Sequence, residues 1–188
     1  AGDGDDNLQG GAGNDTLIGG AGADSIDGGV GTDVVDYSSS ATAISINLGT
    51  GTGNTGGDAE GDIFVGGTIE NAVGSANDDS IVGSVGVNNL QGGAGNDSIE
   101  GGAGADVMDG GAGTDTASYA NATASVTVSL ATGTGTVGHA SGDTLANFEN
   151  LRGSIYADTL TGSTGINTIW GGIGSDVISG GAGDDILN

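Results

Sequence analysis

The sequence predicts an all-β protein, a right-handed parallel β-roll in which short strands wind into stacked coils. Three features predict it. A nine-residue period runs through most of the 188 residues, glycine recurs at its first, second and fourth positions, and a large aliphatic residue recurs at its eighth. Composition agrees, with 44 Gly, no Pro and no Cys. Collagen would need glycine at every third position together with proline, and a flexible linker would lack regularly spaced apolar residues. Aromatic residues make up 3% of the chain, too few for a core built on rings.

The period is read directly from residue 10, as GGAGNDTLI, GGAGADSID and GGVGTDVVD, with AGDGDDNLQ ahead of them in the same frame. A second block starts at Gly74 with GSANDDSIV, GSVGVNNLQ, GGAGNDSIE, GGAGADVMD and GGAGTDTAS. A third starts at Gly153 with GSIYADTLT, GSTGINTIW, GGIGSDVIS and GGAGDDILN. The frame is G-G-x-G-x-D-x-U-x, where U is apolar. Glycine permits the positive φ of a tight turn, and the last three residues form a short strand whose middle side chain points inward. The inward residues are Leu8, Leu17, Ile26, Val35, Ile81, Leu90, Ile99, Met108, Ala117, Leu160, Ile169, Ile178 and Leu187. Two nonapeptides make one coil, and coils stack at about 4.8 Å. The resulting core is one thin aliphatic layer, too small to offset chain entropy comfortably.

The acids point to what supplements it. One Lys or Arg stands against 25 Asp plus Glu, a net charge of −24. Such a surface disfavours nucleic acid, whose binding requires cations on phosphates, and anionic membrane surfaces. No apolar run approaches the roughly 20 residues of a membrane span. Calcium takes about six to eight oxygen ligands from carboxylates and carbonyls, which glycine turns closed by Asp supply. Stacking predicts carboxylate pairs 18 residues apart: Asp6 with Asp24, Asp15 with Asp33, Asp79 with Asp97, Asp97 with Asp115, and Asp158 with Asp176. Asn88 and Asn167 stand in the same position, with Asp106 and Asp185 one coil on. Eighteen residues before them lie Glu70 and Glu149, giving two further expected pairs. About nine ions result, and nine dications offset most of the net charge.

Residues 37–73 and 119–152 interrupt the frame and resemble each other. Each opens on a tyrosine, Tyr37 or Tyr119, and continues into ISINL or VTVSL, an alternation that predicts a half-buried strand. Asp58 and Glu60 read as solvated loop residues, whereas Asp62 and Asp143 share a Gly-Asp context and are better candidates as ligands or turn formers. The expected organisation is therefore repeat blocks at 1–36, 74–118 and 153–188 joined by segments 37–73 and 119–152 in one continuous solenoid. The frame already runs at residue 1, so a monomeric fragment of a larger chain is expected.

The stretches DVVDYSS, ISINL and TIENAVGSANDDSIVGSVGVNNLQGGAGNDSIEGGAGAD are similar to the C-terminal roll of serralysin-type secreted metalloproteases. They are equally similar to repeat regions of giant bacterial RTX surface proteins and toxins. The resemblance implies calcium in the turns, secretion to the cell exterior or surface of a bacterium by a type I system, and folding there on calcium binding. It implies that Glu70 and Glu149 are ligands, with the backbone carbonyls of Thr68 and Asn147, and that Asp33 and Asp115 are too. It also implies backbone ligands at Gly93, Gly95, Gly102 and Gly104 among others. The chain departs from the family pattern at Ser75, Asn77, Ser84, Tyr156 and Ser163.

Other chemistries are poorly matched. Asp3-Gly4-Asp5-Asp6-Asn7 starts like an EF-hand, but Leu8 and Asn14 stand where Gly and Glu are needed. No lysine follows the glycines as in a phosphate loop, and the NDT and NDS sequons are products of the repeat. The chain has no HExxH motif, its single histidine being His139, and no GxSxG motif or cysteine nucleophile, so it is not expected to be an enzyme. An adhesive or carbohydrate-binding module is the alternative, but the only cation is Arg152 and the rings are few. An ice-binding face would need a rank of threonines, which the turns do not supply.

Overall fold

The computed structural model describes residues 1–188. Twenty short strands and two single-turn 3-10 helices, Gly57–Ala59 and Gly138–Ala140, make a parallel β-roll. No helix is long and apolar enough to cross a membrane. Strand partners lie 18 residues apart wherever the nonapeptides are uninterrupted, as in Leu8 with Ile26, Leu90 with Met108, and Leu160 with Ile178. One coil is thus two nonapeptides, and each inward residue sits on its counterpart in the next coil.

Two layers face each other across the core. One is a ten-stranded sheet in the order Thr16–Leu17, Val34–Asp36, Asn71–Val73, Asn89–Ala94, Val107–Ala112, Thr144–Ala146, Thr134–Val137, Thr127–Ser129, Thr159–Thr161 and Val177–Ser179. The other contains a three-stranded sheet, Asn7–Ala12, Ser25–Val30 and Ile63–Phe64. It continues in a seven-stranded sheet, Ser45–Asn47, Ser80–Val82, Ser98–Glu100, Thr116–Ser118, Asn150–Arg152, Thr168–Trp170 and Ile186–Leu187. Residues 51–55 join these two sheets, for Thr55 exchanges hydrogen bonds with Ser45 and Gly51 accepts one from Phe64 N–H (2.8 Å).

The interruptions are built into the layers. In the second, Thr127–Ser129 runs ahead and pairs in parallel with Thr159–Thr161, and the chain returns through the antiparallel strand Thr134–Val137 to Thr144–Ala146 beside Val107–Ala112. The first does the same in the other layer. Five nonapeptides, an odd number, separate the two, so the second interruption falls on the opposite face.

The core is continuous across all blocks. Ile26, Val35, Ile81, Leu90, Ile99, Met108, Ala117, Leu160 and Ile169 are fully buried, whereas Leu8 and Ile178 are partly covered and Leu187 is exposed at the ends of the roll. The alternation expected for the interruptions is present: Ile44, Ile46, Leu48, Val126 and Val128 are buried and Ser45 is exposed, although Leu130 is only half-buried. Phe64, Ala72, Leu145 and Leu151 extend the inward ranks through the interruptions, paired with Ile26, Val35, Met108 and Ala117. Ile99→Ala removes buried methyl groups from a rank with no room to collapse, and about 2–5 kcal/mol of stability should go with them. Ile18→Ala, at a 45% exposed side chain, should change stability by less than about 0.5 kcal/mol, both variants being compared with the unaltered chain by urea titration in calcium.

Candidate metal centre

The turns line both edges of the roll, and their acids are stacked. From the second coil on, the sixth-position carboxylate reaches back one coil and accepts a hydrogen bond from a backbone N–H. Asp6 N–H donates to Asp24 Oδ1 (2.8 Å), Asp15 to Asp33 (2.8 Å), Asp79 to Asp97 (2.8 Å), Asp97 to Asp115 (2.7 Å), Asn88 to Asp106 (2.9 Å), Asp158 to Asp176 (2.9 Å) and Asn167 to Asp185 (2.9 Å). The 18-residue pairing read from the sequence is therefore the pairing of the coils.

The other oxygen divides the turns into two kinds. In the glycine turns it folds over its own turn, where the first glycine makes room: a Cβ at Gly28 would stand 2.6 Å from Asp33 Oδ2. Oδ2 of Asp15, Asp24, Asp33, Asp97, Asp106 and Asp115 is buried there without a hydrogen-bond partner. A buried anionic oxygen so placed is costly unless a cation or donor meets it. In the turns carrying serine at the second position the acceptors are taken. Asp79 Oδ2 accepts from Ser75 N–H (2.5 Å) and Oδ1 from the Ser75 hydroxyl (2.9 Å). Ser154 does the same for Asp158 (2.6 and 2.9 Å), and Ser84 and Ser163 N–H each donate to the Oδ1 of Asn88 and Asn167 (2.7 Å).

Glu70 and Glu149 enter the stacks as the other sixth-position residues do, in register with Asn88 and Asn167 18 residues on. Each side chain reaches back to the coil before, Glu70 Oε2 accepting from Asp33 N–H (2.9 Å) and Glu149 Oε2 from Asp115 N–H (2.8 Å). Asn88 and Asn167, one coil on, reach back in turn, their Nδ2 donating to the Glu70 and Glu149 carbonyls (2.6 Å each). The degenerate turns shorten the path from the preceding strand, so the longer glutamate spans the gap to the coil before. The Thr68 carbonyl faces Gly28, and the Asn147 carbonyl faces Gly110, as the Gly28 carbonyl faces Gly10. Asn147 holds a left-handed φ of 56°, tied by its amide to Asp109 (2.7 Å), as the Thr68 hydroxyl is tied to Asp27 (3.1 Å). Gly93, Gly95, Gly102 and Gly104 all take positive φ.

Asp62 and Asp143 are ladder members that the nonapeptide frame does not reveal. Asp24 N–H donates to Asp62 Oδ1 (2.8 Å) and Asp106 N–H to Asp143 Oδ1 (2.9 Å). Their second oxygens accept from the buried hydroxyls of Tyr37 (2.5 Å) and Tyr119 (2.9 Å). Burial raises both carboxyls, against the lowering effect of these bonds, and burial with the neighbouring carboxylates raises both phenols, so each tyrosine remains a donor. The recurrent Tyr and Gly-Asp of the two interruptions were the available signal. His139 is half-buried and lies 3.1 Å from the Thr123 hydroxyl rather than standing free. Of the six rings, Tyr37, Tyr119, Phe64 and Phe148 are buried, leaving Trp170 and Tyr156 to face solvent.

No three acidic or imidazole side chains converge, so an ion in a turn must draw on carbonyls as well as on one or two carboxylates. Calcium accepts that mixture, and the orphaned oxygens beside glycine carbonyls fit it. The family model for the RTX calcium-binding nonapeptide repeat (4 copies) matches residues 1–35, 82–117 and 152–187. No curated protein matches the chain.

Two outcomes follow from these ladders. Tyr119→Phe strands a buried carboxylate oxygen and should lower stability by about 1–3 kcal/mol, read as a reduced urea midpoint at unchanged slope. Burial, followed by the charges of Asp115, Asp79 and Asp78, pushes the Asp97 carboxyl up to about 6, and burial with Asp143 does the same for Asp106. A carboxyl raised in the fold stabilises it most when protonated. In excess chelator, β structure should be greatest near the ordinary value of 3.8 and decline as the pH rises through about 6, as followed by far-UV circular dichroism.

Proposed function

Because the chain belongs to the RTX calcium-binding nonapeptide-repeat family, we propose that it is a calcium-triggered folding module of a secreted or surface-displayed bacterial protein, with no catalysis of its own. The observation that carries this reading is the row of buried, partnerless carboxylate oxygens. Asp6, Asp15, Asp24, Asp33, Asp97, Asp106, Asp115, Asp176 and Asp185 are the proposed carboxylate ligands. Glu70 and Glu149 join them over Asp33 and Asp115, with the carbonyls of Thr68 and Asn147. The glycine carbonyls at positions such as Gly93, Gly95, Gly102 and Gly104 complete the sets. Bound calcium would supply two positive charges at each cluster of negative oxygens.

The residues themselves set the switch. Without a cation, stacked carboxylates repel, and at an effective dielectric of about 20 two charges about 4 Å apart do so by about 4 kcal/mol. That is comparable with the whole stability of a small domain. The chain therefore stays unfolded and exportable where free calcium is scarce and folds where calcium is millimolar. With excess chelator at neutral pH the chain should show little β signal, and added calcium should restore it. Magnesium should substitute poorly, since it requires a tight octahedron and sheds water reluctantly. Full β signal in chelator at pH 7 would refute the reading.

A further inference from the structure

We infer that the four serine turns, 74–79, 83–88, 153–158 and 162–167, close on themselves without calcium, so that only the glycine turns set the calcium demand of the roll. The inference rests on the calcium reading above and narrows it.

Four observations agree. First, the backbone differs. In the glycine turns the fourth residue is always a positive-φ glycine, as in Gly13, Gly95 and Gly183, and the second nearly always is. In the serine turns neither position is left-handed, not even where glycine remains at Gly86 and Gly165. The carbonyls of the two kinds of turn are therefore aimed differently.

Second, the side-chain oxygens are already engaged. Asp158 Oδ1 accepts from Val126 N–H (2.8 Å) and the Ser154 hydroxyl (2.9 Å), and Oδ2 accepts from Ser154 N–H (2.6 Å). Asp79 has the same arrangement with Ile44 N–H (2.8 Å) and Ser75. No oxygen of either side chain is among the buried atoms without a partner. The serine hydroxyl also accepts from the residue two further on, Asn77 or Tyr156 N–H, which completes the turn.

Third, the asparagines place a donor where a cation would face a carbonyl. Ser84 N–H can only donate, so the atom of Asn88 that meets it is the amide oxygen, and the amide nitrogen must face the Glu70 carbonyl. The same logic orients Asn167 between Ser163 N–H and the Glu149 carbonyl. A neutral N–H then bridges the coils without a metal. Fourth, the sequence follows this division. All nine glycine turns end in Asp, whereas two of the four serine turns end in Asn, which a turn needing no charge tolerates.

The test counts calcium. Metal-free full chain and variants are equilibrated with millimolar calcium by dialysis, bound calcium per chain is measured by atomic absorption, and folding is monitored by circular dichroism. Asp79→Asn and Asp158→Asn should bind as many ions as the unaltered chain, because asparagine already serves in the sibling turns. Asp97→Asn should bind fewer. Asn88→Asp and Asn167→Asp, which add a carboxylate and remove no acceptor, should gain no ion. Loss of an ion in Asp79→Asn with its β signal intact, or a gain in Asn88→Asp, would overturn the inference. Should Asp79→Asn fail to fold, the Asn88→Asp count decides alone. An unaltered chain that takes up no calcium would instead refute the calcium reading and this inference with it.

Discussion

The hydrogen bond from a backbone N–H to the turn carboxylate one coil ahead is the contact on which the roll depends. It recurs wherever two regular turns stack, at 2.7–2.9 Å, and it ties coil to coil at the edges where the strand ladders stop. It also fixes a conflict. A single bond satisfies one oxygen and delivers the whole negative charge into a column of like charges. The aliphatic core contributes one inward side chain per strand, and several of its ranks are as small as Ala72 and Ala117. Such a core cannot absorb the repulsion, so the second oxygen must find a positive partner. The chain uses three: a cation in the glycine turns by our proposal, a serine N–H and hydroxyl in the serine turns, and a tyrosine hydroxyl at Asp62 and Asp143.

Much of this was legible in the sequence because the period is rigid. Nine residues per turn and strand, doubled, fix the 18-residue register, and the register fixes which inward residues and which acids stack. Leu8 over Ile26 and Asp6 beside Asp24 follow from counting. Counting fails where the frame lapses. Phe64 and Leu145 occupy inward ranks, but the loops before them differ in length from a nonapeptide, so spacing could not align them with Ile26 and Met108. For the glutamates, counting works forwards and fails backwards across the interruption. Asn88 and Asn167, 18 residues on, stack on Glu70 and Glu149 as counted and reach back to their carbonyls. The partners that the glutamate side chains themselves reach, Asp33 and Asp115, lie 37 and 34 residues back, a distance the nonapeptide period does not give. Serine at the second turn position was visible as a departure from pattern. Its consequence, a carboxylate with no acceptor left over, depends on φ and on hydroxyl geometry that spacing does not carry.

The interruptions have a bearing on the charge problem as well as on the fold. An unbroken roll would stack carboxylates along each edge without limit, and repulsion along such a column would grow with its length. Here each edge is broken once. The column Asp6, Asp24, Asp62 ends on the Tyr37 hydroxyl, and the column through Asp106 and Asp143 ends on Tyr119. Beyond each break the hairpin offers a neutral backbone N–H, from Ile44 or Val126, and the next column starts there with a serine turn at Asp79 or Asp158. Within the longer columns Asn88 and Asn167 interrupt the charge again without interrupting the stack. Because an odd number of repeats separates the two interruptions, the breaks fall on opposite edges. The arrangement keeps every run of stacked carboxylates short: Asp15, Asp33 and Glu70 on one edge, and Asp79, Asp97, Asp115 and Glu149 on the other. The runs that end at Asp62 and Asp143, and those that begin at Asp79 and Asp158, have at one end a group whose hydrogen bonds are complete without metal, so folding of these runs need not wait for charge to be neutralised along the entire roll.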